Sequence, residues 1–137
     1  MARILKNVYL TIGAVNLSSF LREIELSYEV DEKDQTTLAD DTMKSYPGLK
    51  KWRVKGKLLQ SFAAAEVDAT LFPLVGSETA SAVALRVTNA AISATNPEFQ
   101  GSGYLVKYPP MSGGVGDIHE ADFEIAAATD LVRDVTP

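Results

Sequence analysis

The chain has 137 residues, 46% hydrophobic and 23% charged, the balance of one folded domain and far from the charge-rich composition of a disordered segment. Thirteen basic against eighteen acidic residues give a net charge of −5, which argues against a surface built to grip phosphate backbones. The absence of cysteine removes disulfide scaffolds, thiolate zinc sites and thiol nucleophiles together. No apolar stretch has signal-peptide or bilayer-spanning character, so a chain made in the cytosol is expected.

Apolar and polar residues alternate in several segments, the period of a half-buried strand. Val8, Leu10 and Ile12 form the first such set, which stops at Gly13-Ala14, a turn signal. From residue 22 to 30 the pattern is cleanest: Ile24, Leu26, Tyr28 and Val30 lie on one face, with Glu23, Glu25, Ser27 and Glu29 on the other. Trp52, Val54 and Leu58 mark another strand, whose opposite face carries Arg53, Lys55 and Lys57. If these two strands pair antiparallel, acids face bases across the ladder, each such pair contributing roughly 0.2–1 kcal/mol.

Residues 31–50, which join them, are rich in Asp, Thr and Lys and close at Pro47-Gly48 without sustained periodicity. They read as a long inter-strand loop, and a connection beyond about 12–15 residues is usually functional or disordered. Residues 61–76 contain helix formers at Ala63, Ala64 and Ala65, acids at Glu66 and Asp68, and a stop at Gly76. A short helix is predicted here, with Val67, Leu71 and Leu74 on one face and an end or kink near Thr70 because of Pro73.

Val83, Leu85 and Val87 predict a further strand, Asn96-Pro97 a turn, and Tyr104, Val106 and Tyr108 another strand that halts at Pro109-Pro110. After a glycine-rich connection, residues 118–127 form the last predicted strand, with Ala121, Phe123 and Ile125 inward and Glu120, Asp122 and Glu124 outward. Residues 128–137 show too little pattern and are expected to be a terminal arm. The whole chain, 1–137, reads as a single mainly β (α+β) domain: a β-sandwich or partly open barrel of about six or more strands with one flanking short helix.

The search for chemistry points away from an enzyme. His119 is the only histidine and lacks a G-x-S-x-G nucleophile elbow or an H-E-x-x-H partner, so no catalytic or metal role is assigned. The carboxylates at 23, 25, 29, 120, 122 and 124 follow strand periodicity, which explains them as a solvated face before any acid–base pair is needed. The acids at 31, 32, 34, 40 and 41 lack EF-hand spacing, and Gly113-Gly114-Val115-Gly116 precedes a strand, not the helix that a phosphate loop requires. No cofactor is expected, and the aromatic residues read as core.

One combination of motifs carries more. Residues 36–49 read T-T-L-A-D-D-T-M-K-S-Y-P-G-L, followed by the strand at 50–60 and then by V-D-A-T-L-F-P-L-V-G at 67–76. A-T-N-P follows at 94–97, and G-V-G-D at 114–117. In this order the motifs resemble the major tail tube protein of long-tailed, siphovirus-like bacteriophages, over about residues 8–125.

The resemblance implies hexameric rings stacked into a hollow tube through which the double-stranded DNA genome passes without tight binding. It makes Thr36, Thr37, Leu38, Asp40, Asp41, Thr42, Met43, Lys44, Tyr46 and Pro47 the candidates for contact with an adjoining ring or subunit. Glu23, Glu25, Glu29, Glu120, Asp122 and Glu124 become candidates for a lumen wall that repels phosphates. Implied partners are the chain itself and other tail proteins (tape measure, tail terminator and initiator complex). The implied location is the virion, after assembly in the host cytoplasm, and no small-molecule substrate is expected. Two alternatives stand beside this: a head-to-tail joining or tail-terminator ring protein, and a soluble binding module for a carbohydrate or protein that uses Trp52, Tyr104 and Tyr108.

Overall fold

A computed structural model describes residues 6–136. Residues 1–5 and Pro137, which the single-domain and terminal-arm readings include, lie outside the described residues. The strands are β1 (Tyr9–Ile12), β2 (Val15–Asn16), β3 (Leu21–Asp34), β4 (Ser45–Leu59), β5 (Ser81–Arg86), β6 (Glu98–Lys107), β7 (Glu120–Ala127) and β8 (Val132–Asp134), with one helix, α1 (Val67–Leu71).

All eight strands belong to one antiparallel sheet in the order β2-β1-β5-β6-β7-β4-β3, with β8 also paired to β6. The sheet curls until side chains from both ends meet in a single core: Leu10 and Ile12 from β1, Val54 and Leu58 from β4, Val83 and Leu85 from β5, Phe123 and Ile125 from β7. The barrel does not close. An apolar cleft of about 310 Å³ marks the open seam, lined among others by Ile24 and Leu26 on one side and Val8, Leu85 and Phe99 on the other.

The expected antiparallel pairing of β3 with β4 is present: Glu23 lies opposite Lys57, Glu25 opposite Lys55, and Glu29 opposite Lys51. β1 and β2 form a tight hairpin through Gly13 and Ala14, both at positive φ (59° and 67°), the geometry that matches strand twist in a two-residue turn.

Two close approaches depend on glycine. A Cβ on Gly103 would fall 2.4 Å from the Ala126 carbonyl oxygen, and one on Gly101 2.6 Å from the ring of Trp52. Trp52 therefore lies close against β6, and its indole N–H donates to the Thr129 carbonyl at 2.7 Å. At this point β6 exchanges one neighbour for another: β7 pairs with its second half and β8 with its first. The Thr129 hydroxyl accepts from the Ser102 N–H at 2.9 Å and holds the break between β7 and β8.

Three expectations change. The alternating set Tyr104, Val106 and Tyr108 does not face the core as a unit: Tyr104 and Val106 are exposed, and Leu105 with Gly103 points inward. A bulge between Leu105 and Lys107 shifts the alternation so that Tyr108 alone turns back towards the core. The helix is shorter than residues 61–76. Residues 63–65 form a turn with Ala65 at φ 59°, α1 covers Val67–Leu71, and a 3₁₀ turn, Phe72–Leu74, accommodates Pro73. Burial of Val67 and Leu71 decides where the helix sits, over the intrinsic preference of the alanines. Finally, the terminal segment is in part a strand, β8.

α1 plugs one mouth of the curled sheet. The Tyr108 hydroxyl donates to Asp68 at 2.7 Å and accepts from Gln60 at 2.8 Å, which ties helix, β4 end and β6 end together. Burial, with the hydrogen bond to Asp68 next, pushes the Tyr108 phenol up to about 12. A phenol whose folded pKa is raised stabilises the fold fully below its ordinary value near 10, and loses that contribution as pH rises towards 12. Tyr108→Phe is expected to lower stability at neutral pH and to flatten the decline between pH 10 and 12. Urea unfolding of both proteins across that range checks this, and parallel profiles would refute it.

Candidate interaction surfaces: a projecting hairpin and a striped charged face

β4 is fifteen residues long, but β7 accompanies it only from Arg53 onwards, where Arg53 pairs with Ala126. Between Trp52 and Ser45 only β3 runs beside it. Seven residue steps at about 3.4 Å make a two-stranded arm of roughly 24 Å before the connecting residues 35–44. The segment expected as a loop at 31–50 is thus partly strand. Its missing periodicity has a simple cause: neither face of a free arm is buried, so nothing selects an apolar side.

The arm changes register once. Val30 pairs with Lys50 and Glu32 with Pro47, so Gly48 and Leu49 oppose the single residue Asp31. Gly48 packs against Asp31 closely enough that a Cβ would lie 3.1 Å from its carbonyl oxygen. Pro47, which has no N–H to give, is tolerated beside this bulge.

The tip is ordered by its own polar groups. Asp40 accepts from the Thr37 N–H at 2.8 Å and pairs with Lys44 at 2.8 Å, while the Lys44 N–H donates to the Thr36 hydroxyl at 2.7 Å. The Lys44 ammonium, then the Thr37 N–H, hold the Asp40 carboxyl below the usual carboxylate range. Of the predicted contact residues, Thr36, Thr37, Leu38, Asp40, Asp41, Thr42, Met43 and Lys44 lie in the connection, and Tyr46 and Pro47 lie in β4. Leu38 and Met43 project from the tip, and Tyr28, Val30, Tyr46 and Leu49 line the arm, all exposed. Tyr28 and Val30 were not singled out as a surface by sequence reasoning, because they continue the apolar face of β3 and look like core.

The six predicted wall acids share the outward face of the sheet. Glu23, Glu25 and Glu29 form a column on β3, and Glu120, Asp122 and Glu124 a column on β7. Between them stands a basic column on β4: Lys51, Arg53, Lys55 and Lys57. Lys55 lies between Glu25 and Glu124, and Lys57 between Glu23 and Asp122. Arg53 reaches Glu124 at 3.0 Å, Arg22 reaches Glu120 at 3.0 Å, and looser pairs join Lys51 to Glu29 and Lys57 to Asp122. An open groove of about 560 Å³ runs over this face. These pairs are solvent-exposed, so each stabilises the fold by 1 kcal/mol or less. Their larger effect is on the field: the acids are interleaved with bases and do not make a continuous negative wall.

His119, set aside as a catalytic base, precedes β7. Its Nε2 accepts from the Ser112 N–H at 3.2 Å, and its ring lies 5.8 Å from that of Phe62. Trp52 is buried and Tyr104 exposed, so the aromatics of the binding-module alternative do not line one site. Among the described residues no group of three or more His, Asp or Glu could hold a metal ion, and no helix is long and apolar enough to cross a membrane.

The sequence matches no family model and no curated relative. Solved structures with a similar fold do exist. A chain from the virion of a native gene transfer agent particle superposes with a TM-score of 0.78 at 13% identity, over 96% of this chain and 98% of that one. A chain from the tail of an empty gene transfer agent particle, solved with C6 symmetry, gives 0.67 at 14% identity over 83% and 81%. The Dit protein of SPP1, described as a hub adsorption apparatus of phages infecting Gram-positive hosts, gives 0.53 at 13% identity over 90% of this chain and 50% of that one. The fold is therefore one found in virion and tail particles.

Proposed function

We propose that the chain is a non-enzymatic structural subunit of a bacteriophage-type tail tube, assembling as homo-hexameric rings that stack into a hollow conduit for double-stranded DNA. The observation that carries this reading is the arm. A two-stranded hairpin is at best marginally stable alone in water, and this one exposes six large apolar side chains. Such a surface is characteristic of an association site. β3 also offers an outer edge fourteen residues long with no neighbour among the described residues, a template for pairing with a second copy.

The likeness of fold to a virion chain over nearly the full length of both, and to a chain of a six-fold symmetric tail, supports the reading, as does the order of sequence motifs. On this reading the arm contacts the adjoining ring or subunit, the striped face lines the lumen, and the partners are further copies and the tape measure, terminator and initiator proteins of a virion. The likeness to Dit supports a second reading: a ring protein at a tail end, which forms one ring and does not stack.

Negative-stain electron microscopy of the purified chain over a concentration series distinguishes these. Stacked rings or hollow tubes are expected. Single rings at every concentration would favour the tail-end reading, and a monomer that stays unassembled even with tail-initiation proteins would overturn both.

A further inference from the structure

The basic column on β4 has a spacing that matters. Alternate residues of a strand lie about 6.8 Å apart, so Lys51, Arg53, Lys55 and Lys57 form a line of four cations roughly 20 Å long. Duplex DNA carries one negative charge per about 1.7 Å of its axis, so four unopposed cations along such a line would have several phosphates within reach. Left bare, it would be a polyanion-binding strip. It is flanked instead by acidic columns on neighbouring strands, about 4.8 Å away on each side, well inside the screening length of about 8–10 Å.

We propose that the acidic columns on β3 and β7 silence a latent duplex-binding strip on β4, so that the face neither holds nor strongly repels a phosphate backbone. This deepens the tube reading and rests on it for the identity of the polyanion. It also revises the role of the acids: they cancel the attraction of their neighbours and do not supply a repulsive wall. The distinction is chemical. A repulsive wall would respond to loss of acids by becoming less negative, whereas a silenced strip responds by becoming adhesive.

The test uses the full chain and a fluorescently labelled 20-base-pair duplex, read by anisotropy at 50 and 200 mM salt. The native chain is expected to show no binding. Glu23→Gln, Glu25→Gln, Asp122→Asn and Glu124→Gln together should bind the duplex. With about four phosphates neutralised, the affinity should fall on the order of 100-fold between the two salt concentrations. Adding Lys55→Gln and Lys57→Gln should abolish that binding.

Should the four-fold variant fail to fold, Glu23→Gln with Glu25→Gln alone decides. Neither residue has a cation within 4.0 Å among the described residues, and this pair should bind more weakly but still measurably. A folded variant that ignores DNA, binding that survives the lysine substitutions, or binding by the native chain would each overturn the proposal. Because the assay does not require assembly, gain of binding would uphold the strip even if microscopy excluded tubes.

Discussion

Joining Val30 to Lys50 through an Asn-Gly turn, which removes residues 31–49, is expected to leave a folded chain that forms no stacked rings at any concentration. Val30 and Lys50 are cross-strand partners, so a two-residue turn can close the ladder between them. What is lost is all exposed or tip-local: Leu38, Met43, Tyr46, Leu49 and the Asp40–Lys44 pair. None of it belongs to the core, so the core that holds the curled sheet together is left intact. Assembly, by contrast, should fall from complete to undetectable, because the deletion takes away most of the exposed apolar groups of the arm. Thermal unfolding and electron microscopy of the same preparation separate the two effects. Long tubes from the shortened chain would remove the arm from the assembly mechanism.

The largest effect on stability is expected from Trp52→Ala, about 3–5 kcal/mol, measurable as a fall in the urea midpoint with little change in slope. The ring is 4% exposed, covers Gly101 and reaches across β7 to the place where β6 passes from one neighbour to the next. Its loss leaves a cavity that backbone cannot fill and strips the Thr129 carbonyl of its donor. Trp52→Phe should recover much of the packing but not the hydrogen bond, and so fall between. If Trp52→Ala cost under 1 kcal/mol, the ring would not be what holds the β7–β8 break against β6.

Alternation read the strands well where one face is buried and the other wet. The antiparallel pairing of β3 with β4 was legible, because an acidic face at Glu23, Glu25 and Glu29 complements a basic one at Arg53, Lys55 and Lys57; the register, which puts Glu29 opposite Lys51, comes from the structure. The same rule misplaced Tyr104 and Val106, since a bulge breaks the period and the true inward residue beside Leu105 is Gly103, which has no apolar side chain to announce it. β8 was invisible for a different reason: three residues carry no period, and their partners Glu98, Phe99 and Gln100 lie over thirty positions upstream. The acidic columns could be seen one strand at a time. That Arg53, Lys55 and Lys57 temper the β3 acids was legible too; that the same bases also face the acids of β7 was not, because it depends on β7 lying on the far side of β4, a non-local fact of topology.

The two mouths of the curled sheet differ in kind. One is stoppered by α1, held down by Tyr108, and the arm springs from the other. In the proposed tube, with the arm of one copy set against the far end of the next, the contacts between rings are heterologous and cannot be reversed by turning a subunit over. A stack built this way has a direction, as a pile of cups does. Its two ends present unlike surfaces, so growth at each end proceeds at its own rate, and a protein shaped to stop one end has no purchase on the other.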